Sequence, residues 1–172
     1  MMLLVLLACG GSAPTPSASP AAPAASAPTA PPATFTCCGE PSLDALVATY
    51  VSGSEALAAD RDAATDSSAL VERAMAARAV AGLPAATADA LVRLEGAARD
   101  AANAPDVKLR RAAWKQVSGI VVPLARSSGG GTRAYREAWC PMAEAAWLQA
   151  GSSTTVANPY YGAEMLTCGA FR

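Results

Sequence analysis

From Leu43 the apolar positions Leu43, Leu46, Val47, Tyr50, Val51, Leu57 and Ala58 recur at three- and four-residue intervals, the spacing that lines one face of a helix. Ser42, following Pro41, is placed to cap that helix. The polar cluster Asp60-Arg61-Asp62 interrupts the pattern or starts the next helix, and a second apolar series runs through Leu70, Val71, Ala74, Met75 and Ala77 to Ala81. Gly82 and Pro84 close it, and Met75 is expected in the core as a gap-filler. Thr87 and Asp89 open a third helix carrying Leu91, Leu94, Ala98 and Ala102, which stops near Asn103 and Pro105. Asp106 opens a fourth with Leu109, Ala113, Val117, Ile120, Val121 and Leu124, where Pro123 kinks or ends the last turn.

Four helices with short connections predict an all-α fold, an up-and-down four-helix bundle, with an irregular C-terminal cap segment. Alanine fills 44 of the 172 positions against 5% aromatic residues, which implies closely packed helices with small side chains. Glu72, Arg73, Arg78, Arg93, Glu95 and Arg99 read as solvated helix faces, because no block of like charge occurs. A net charge of −1 supplies no electrostatic footprint for a phosphate backbone, so nucleic acid is not an expected partner. The chain has no His, which excludes Ser-His-Asp and Cys-His catalysis and imidazole metal sites. Only thiol redox chemistry survives as an enzymatic reading. It lacks a CxxC pair and a His to activate a thiol, so the expectation is a protein that is not an enzyme.

Residues 1–9 are an apolar run ending Leu6-Leu7-Ala8-Cys9 and followed by Gly10-Gly11. This resembles the lipobox of bacterial lipoproteins, in which the Cys, here Cys9, is lipidated. The run is short for a signal peptide and far short of a membrane span, so the expectation is a truncated signal whose true start lies upstream of Met1. Residues 10–34 carry no charge and are almost entirely Ala, Pro, Ser, Thr and Gly, a composition that cannot bury enough surface to offset chain entropy. Residues 10–40 are therefore predicted to be a disordered linker to a domain at 41–172. Gly10 in place of the Asp that retains lipoproteins at the inner membrane implies, by the same resemblance, an outer-membrane anchor. The domain would then face the periplasm or cell surface, where thiols meet oxidising conditions.

The chemistry gathers beyond a glycine break at 129–131, in a C-terminal segment at 126–172. Tyr135, Glu137 and Trp139 alternate as in a short strand leading to Cys140-Pro141-Met142; Trp147-Leu148, Asn158-Pro159-Tyr160-Tyr161-Gly162 and Met165-Leu166-Thr167-Cys168-Gly169 follow. A helical turn from Ala163 to Leu166 would set Met165 and Cys168 about one turn apart. Two thiols and two thioethers at Cys140, Met142, Met165 and Cys168 form a soft ligand set that selects Cu(I) over Zn and harder cations. Zinc fits less well, since its structural sites use Cys and His at other spacings. Trp139, Trp147, Tyr160 and Tyr161 are expected to cover the open end of the bundle, and Trp139 offers a ring face to a bound cation.

Cys140-Pro141-Met142, Trp147-Leu148, Asn158-Pro159-Tyr160, Gly162, Met165-Leu166 and Cys168-Gly169 resemble the signature of an uncharacterised bacterial exported domain family. The family also occurs fused to periplasmic adaptor subunits of heavy-metal RND efflux pumps, copper and silver systems included. Leu43-Asp44-Ala45-Leu46-Val47 and Trp114-Lys115-Gln116-Val117-Ser118 extend the resemblance over about residues 40–169. It implies Cu(I) or Ag(I) as the ligand and heavy-metal efflux components as partners. The chain departs from the pattern between Met142 and Trp147, where only Ala143-Glu144-Ala145-Ala146 intervene.

A second reading uses the same residues. Cys140 and Cys168 can join in a disulfide that pins the segment to the bundle, giving a stapled helical interaction module of the cell envelope with no metal. Cys37 and Cys38 add two thiols at the end of the linker. Four cysteines allow three pairings, and these two can alternatively join the copper site.

Overall fold

The computed structural model describes residues 39–127 and 134–172. Cys9 with its lipobox-like run, the stretch expected to be a linker as far as residue 38, the adjacent Cys37 and Cys38, and the glycines at 129–131 lie outside the described residues.

Helix α1 spans Pro41–Ala58, α2 Ala64–Arg78, α3 Ala85–Asn103 and α4 Val107–Ser127. Pro41 sits at the start of α1, where a missing N–H costs nothing. The cap is Glu40 rather than Ser42: its carboxylate accepts the Leu43 N–H at 2.9 Å, because Ser42 is already inside the first turn. The polar cluster after α1 is a break between helices, with Asp60 in the left-handed region at φ 55°. Asp106 opens α4, its carboxylate accepting the Leu109 N–H at 2.8 Å. Pro123 lies within α4 and does not end it, for the helix runs on to Ser127.

Each helix packs on the next in sequence, and α1 also meets α4. The α1–α4 contact is an aromatic stack: the Tyr50 and Trp114 rings lie parallel with centroids 5.5 Å apart. Their polar ends are paired internally, Tyr50 with the Ser118 hydroxyl at 2.8 Å and Trp114 Nε1 donating to Ser54 at 2.9 Å. Gly53 permits the stack, since a Cβ there would fall 2.6 Å from Trp114 Cζ2. Leu46, Leu57, Leu70, Leu91, Leu94, Val117 and Val121 fill the rest of the helical core, with Ala74, Ala77, Ala98 and Ala101 between them. Arg110 is buried. Its guanidinium donates to the Ala101 and Ala104 carbonyls at 2.9 and 2.5 Å, satisfying the end of α3, and pairs with Asp62.

Three expected core positions are at the surface, Ala81 because α2 ends at Arg78, short of Gly82 and Pro84. Met75 is 46% exposed, because the buried stripe of α2 is the narrow line Leu70, Ala74 and Ala77, and Met75 is one residue past it. Leu109 is 53% exposed, since the inward position beside it belongs to Arg110. The six charged residues read as solvated faces include a surface pairing, Glu95 accepting from both Arg78 and Arg99.

The fold is mostly helical but not all-α. In place of an irregular cap the C-terminal segment forms a three-stranded antiparallel sheet in the order β2-β1-β3, with β1 at Tyr135–Cys140, β2 at Ala145–Ala150 and β3 at Ala170–Phe171. Backbone polar groups need partners, and a segment with alternating Tyr135, Glu137 and Trp139 finds them in a hairpin. Residues 141–144 make the turn of the hairpin, with Glu144 at φ 50°. Strand β2 rests against α1 and α4 with Trp147 fully buried, and Arg126 of α4 pairs with Glu137 of β1.

Candidate functional site

The register of the sheet brings the two sulfur motifs together. Strand β1 ends at Cys140, and β3 runs back along it with Ala170 opposite Trp139, so Gly169 and Cys168 arrive beside Cys140. The Cys140 and Cys168 sulfurs are 2.7 Å apart. No S–S bond joins them, such a bond being about 2.05 Å long. Gly169 makes the approach feasible: it has φ 133°, and a Cβ would stand 2.7 Å from the Trp139 carbonyl oxygen and 2.9 Å from the Trp147 ring. The neighbouring Cys-Gly pair in the sequence is thus a packing requirement.

The rest of the motif holds Cys168 in place. Asn158 is fully buried and uses both ends of its carboxamide: Nδ2 donates to the Cys168 carbonyl at 2.9 Å, and Oδ1 accepts the Tyr160 N–H at 2.9 Å. Its own N–H donates to the Leu166 carbonyl at 2.7 Å. The expected turn role of Asn158-Pro159 is therefore present, but the turn also closes the loop that carries Cys168. Tyr160 donates its hydroxyl to the Ala146 carbonyl at 2.6 Å and meets the edge of Trp147, while the Tyr161 hydroxyl donates to the Met142 carbonyl at 3.0 Å. Gln149, buried in β2, accepts from Trp147 Nε1 at 3.0 Å and from the Ala157 N–H at 2.9 Å, which pins the approach to Asn158.

The expected helical turn from Ala163 to Leu166 is present as a 3₁₀ turn, Gly162–Met165, one residue earlier. This is where the sulfur segment is tied to the helices. Asp60 accepts the Ala163 N–H at 3.0 Å and pairs with Arg111, whose Nη2 also donates to the Leu57 carbonyl at 2.7 Å. A side chain on Gly162 would overlap both the Asp60 carboxylate and the Arg111 guanidinium, and its φ of 57° is itself the left-handed conformation. Those contacts hold the Asp60 carboxyl below the usual carboxylate range, the Arg111 hydrogen bond being the larger cause.

The sulfur pair is electrostatically uneven. Burial opposes ionisation of Cys140, yet the Cys168 thiol, the Ala143 and Met142 N–H groups and the Asn158 carboxamide together hold it below the ordinary thiol value. Cys168 is pushed up, chiefly by its hydrogen bond with Cys140 and then by burial. The Ala143 N–H lies 3.4 Å from the Cys140 sulfur.

The four candidate ligands are not equally assembled. Cys140 and Cys168 meet; the backbones of Met142 and Met165 adjoin them, the Met142 N–H facing both sulfurs and the Met165 carbonyl accepting the Cys168 N–H at 2.9 Å. Both methionine side chains remain at the surface, Met142 at 64% exposure and Met165 at 36%. The cation over Trp139 is Arg172, 4.4 Å from the ring centre. Asp60, Arg111 and the Tyr161 hydroxyl were not legible as site-shaping groups; the only signal was a polar cluster breaking α1. Among the described residues no three His, Cys, Asp or Glu side chains converge to hold a metal. No helix among them is long and apolar enough to cross a membrane.

No protein-family model matches the chain, and neither a curated protein nor a solved structure matches it.

Proposed function

We propose that this protein binds Cu(I), or Ag(I), as cargo in the cell envelope, for sequestration or for hand-off to heavy-metal efflux components. The observation that carries the reading is the meeting of Cys140 and Cys168 from the two sulfur motifs, with the Met142 and Met165 backbones beside them. Thiolate and thioether suit a soft monovalent ion. Thiolates, not thiols, ligate metal, so the N–H groups and carboxamide that favour the Cys140 thiolate also favour capture. Cys140 and Cys168 are the primary ligands, and the exposed thioethers of Met142 and Met165 complete the shell from the solvent side, where an acceptor can compete for the ion. The protein moves the ion and catalyses no reaction.

Export and a lipid anchor at Cys9, in the periplasm and at the outer membrane, belong to the same proposal. The lipobox-like run and the uncharged linker support them. The resemblance of the C-terminal motif to a domain fused to heavy-metal efflux adaptors supports the efflux partner. The up-and-down arrangement of the bundle is likewise inferred, from short connections and the packing of each helix on the next.

One observation favours a second reading. Sulfurs at 2.7 Å are also placed for a disulfide, which in an oxidising compartment would make the domain a stapled interaction module without metal. Anaerobic competition for Cu(I) against a chromogenic chelator separates the two, using the reduced full chain, Met142→Leu/Met165→Leu and Cys140→Ser/Cys168→Ser. Metal binding predicts stoichiometric uptake by the parent, weakening in the methionine variant and loss in the cysteine variant. Equal behaviour of all three proteins overturns it.

A further inference from the structure

The two sulfurs differ in access, and the difference has a direction. Cys140 has no exposed surface: it ends a central strand, beneath Ala143 and beside the fully buried Trp147 and Asn158. Cys168 retains surface, at the end of the exposed run Ala163 to Thr167. An external reagent therefore reaches the pair from one side.

We propose that Cys140 and Cys168 form a reversible disulfide that exchanges with external thiols, with Cys168 as the sulfur attacked and Cys140 as the leaving sulfur. A low-molecular-weight thiolate attacks Cys168 Sγ; a new S–S bond forms there as the Cys140–Cys168 bond breaks, and the electron pair departs on Cys140. The Ala143 N–H, 3.4 Å from the Cys140 sulfur, is in place to stabilise the charge that appears on it. A second thiolate then attacks the external sulfur of the mixed disulfide. It releases the oxidised pair of the reagent and leaves Cys168 as a thiolate that takes a proton from solvent. Oxidation by a low-molecular-weight disulfide is the reverse, with Cys168 modified first and Cys140 closing on it.

The surrounding structure suits a pair that opens and recloses. Asn158 holds the Cys168 carbonyl and the Leu166 carbonyl through its side chain and backbone, and the Gly162 turn is tied to α1 and α4 by Asp60 and Arg111, so the loop keeps its place when the S–S bond is open. The inference requires the thiol pair and not the metal.

The test is trapping by mass. The full chain is oxidised with glutathione disulfide, exposed briefly to glutathione, quenched in acid, alkylated and mapped by peptide mass spectrometry, which separates these cysteines from Cys9, Cys37 and Cys38. The expected intermediate carries glutathione on Cys168 and the alkyl group on Cys140, in excess over the opposite isomer by about tenfold or more. In Cys140→Ser the Cys168 adduct accumulates and persists. In Cys168→Ser the Cys140 thiol stays unmodified until denaturant is added. Glutathione on Cys140, equal amounts on both, or oxidation that joins either one to Cys37 or Cys38 overturns the proposal. The parent map decides even where a serine variant does not fold, and because no metal is present its failure is distinct from failure of copper binding.

Discussion

Asn158 joins the Tyr160 N–H to the Cys168 carbonyl through the two ends of one fully buried carboxamide. The neighbours on either side are a backbone donor and a backbone acceptor, both partly buried, so no smaller or purely accepting side chain satisfies both. Asn158→Ala is expected to cost about 3 kcal/mol in urea unfolding of the reduced chain, from two groups left unpaired. Asn158→Asp is expected to give no rescue, because an oxygen would face the Cys168 carbonyl. A near-neutral Asn158→Asp would show that the carboxamide is not holding that loop.

Gly162→Ala tests the tie between the sulfur segment and the helices. Strain at φ 57° and overlap with Asp60 and Arg111 should together cost about 2 kcal/mol or more. The same change should accelerate hydrogen exchange at the Ala163 N–H. Unchanged stability with unchanged exchange would place Asp60 elsewhere.

The helical glycines separate packing from propensity. Alanine in a helix interior is worth about 1 kcal/mol over glycine, and at Gly96 and Gly119 nothing lies within 4 Å of a new Cβ. Gly96→Ala and Gly119→Ala are therefore expected to stabilise by up to about 1 kcal/mol. Gly53→Ala has the same propensity gain but drives a methyl into Trp114, and overpacking costs about 1 to 3 kcal/mol, so it should destabilise. Thermal melts of the three variants give the signs directly.

Much of this was legible because helix faces are written in spacing. Leu43 to Leu57, Leu91 to Ala98, and Val117, Val121 and Leu124 are buried where the apolar pattern puts them, with Ile120 half-buried beside them. Met75 and Leu109 differ from the pattern for separate reasons: the buried stripe of α2 is narrow and Met75 falls just past it, while on α4 the charged Arg110 takes the inward position beside Leu109. The strand before Cys140 was legible from alternation at Tyr135, Glu137 and Trp139. Its partners were not, since β2 reads as an apolar run and β3 is two residues long. Within the site, Cys140 and Cys168 were found by residue type. Arg111 and Asp60 were missed because their role depends on a contact across 51 positions, which no local pattern encodes.

Burial also fixes an alkaline limit. Tyr50 is pushed up to about 12 by burial, which the Ser118 hydrogen bond only partly opposes, and Tyr135 is pushed up to about 12 by burial and then by the charge of Asp44. Tyr160 is raised as well, chiefly by burial. A raised folded value means that the native state keeps protons the unfolded chain has lost. Stability is then undiminished below pH about 10, where unfolded tyrosine titrates, and falls as pH rises from there to about 12. For Tyr50 alone the loss approaches about 3 kcal/mol. Melting temperature followed against pH, with phenolate absorbance alongside, should show the two changing together; a melting temperature flat to pH 12 would contradict the burial of Tyr50.

The central claim is that Cys140 and Cys168 take a soft metal ion only as free thiols. Parallel anaerobic Cu(I) titrations of the fully reduced chain and of the chain oxidised to the Cys140–Cys168 disulfide test it most directly, with Cys37 and Cys38 replaced by Ser in both. The account predicts stoichiometric uptake by the reduced protein and none by the oxidised one. Equal uptake by both, or no uptake by the reduced protein, would contradict it.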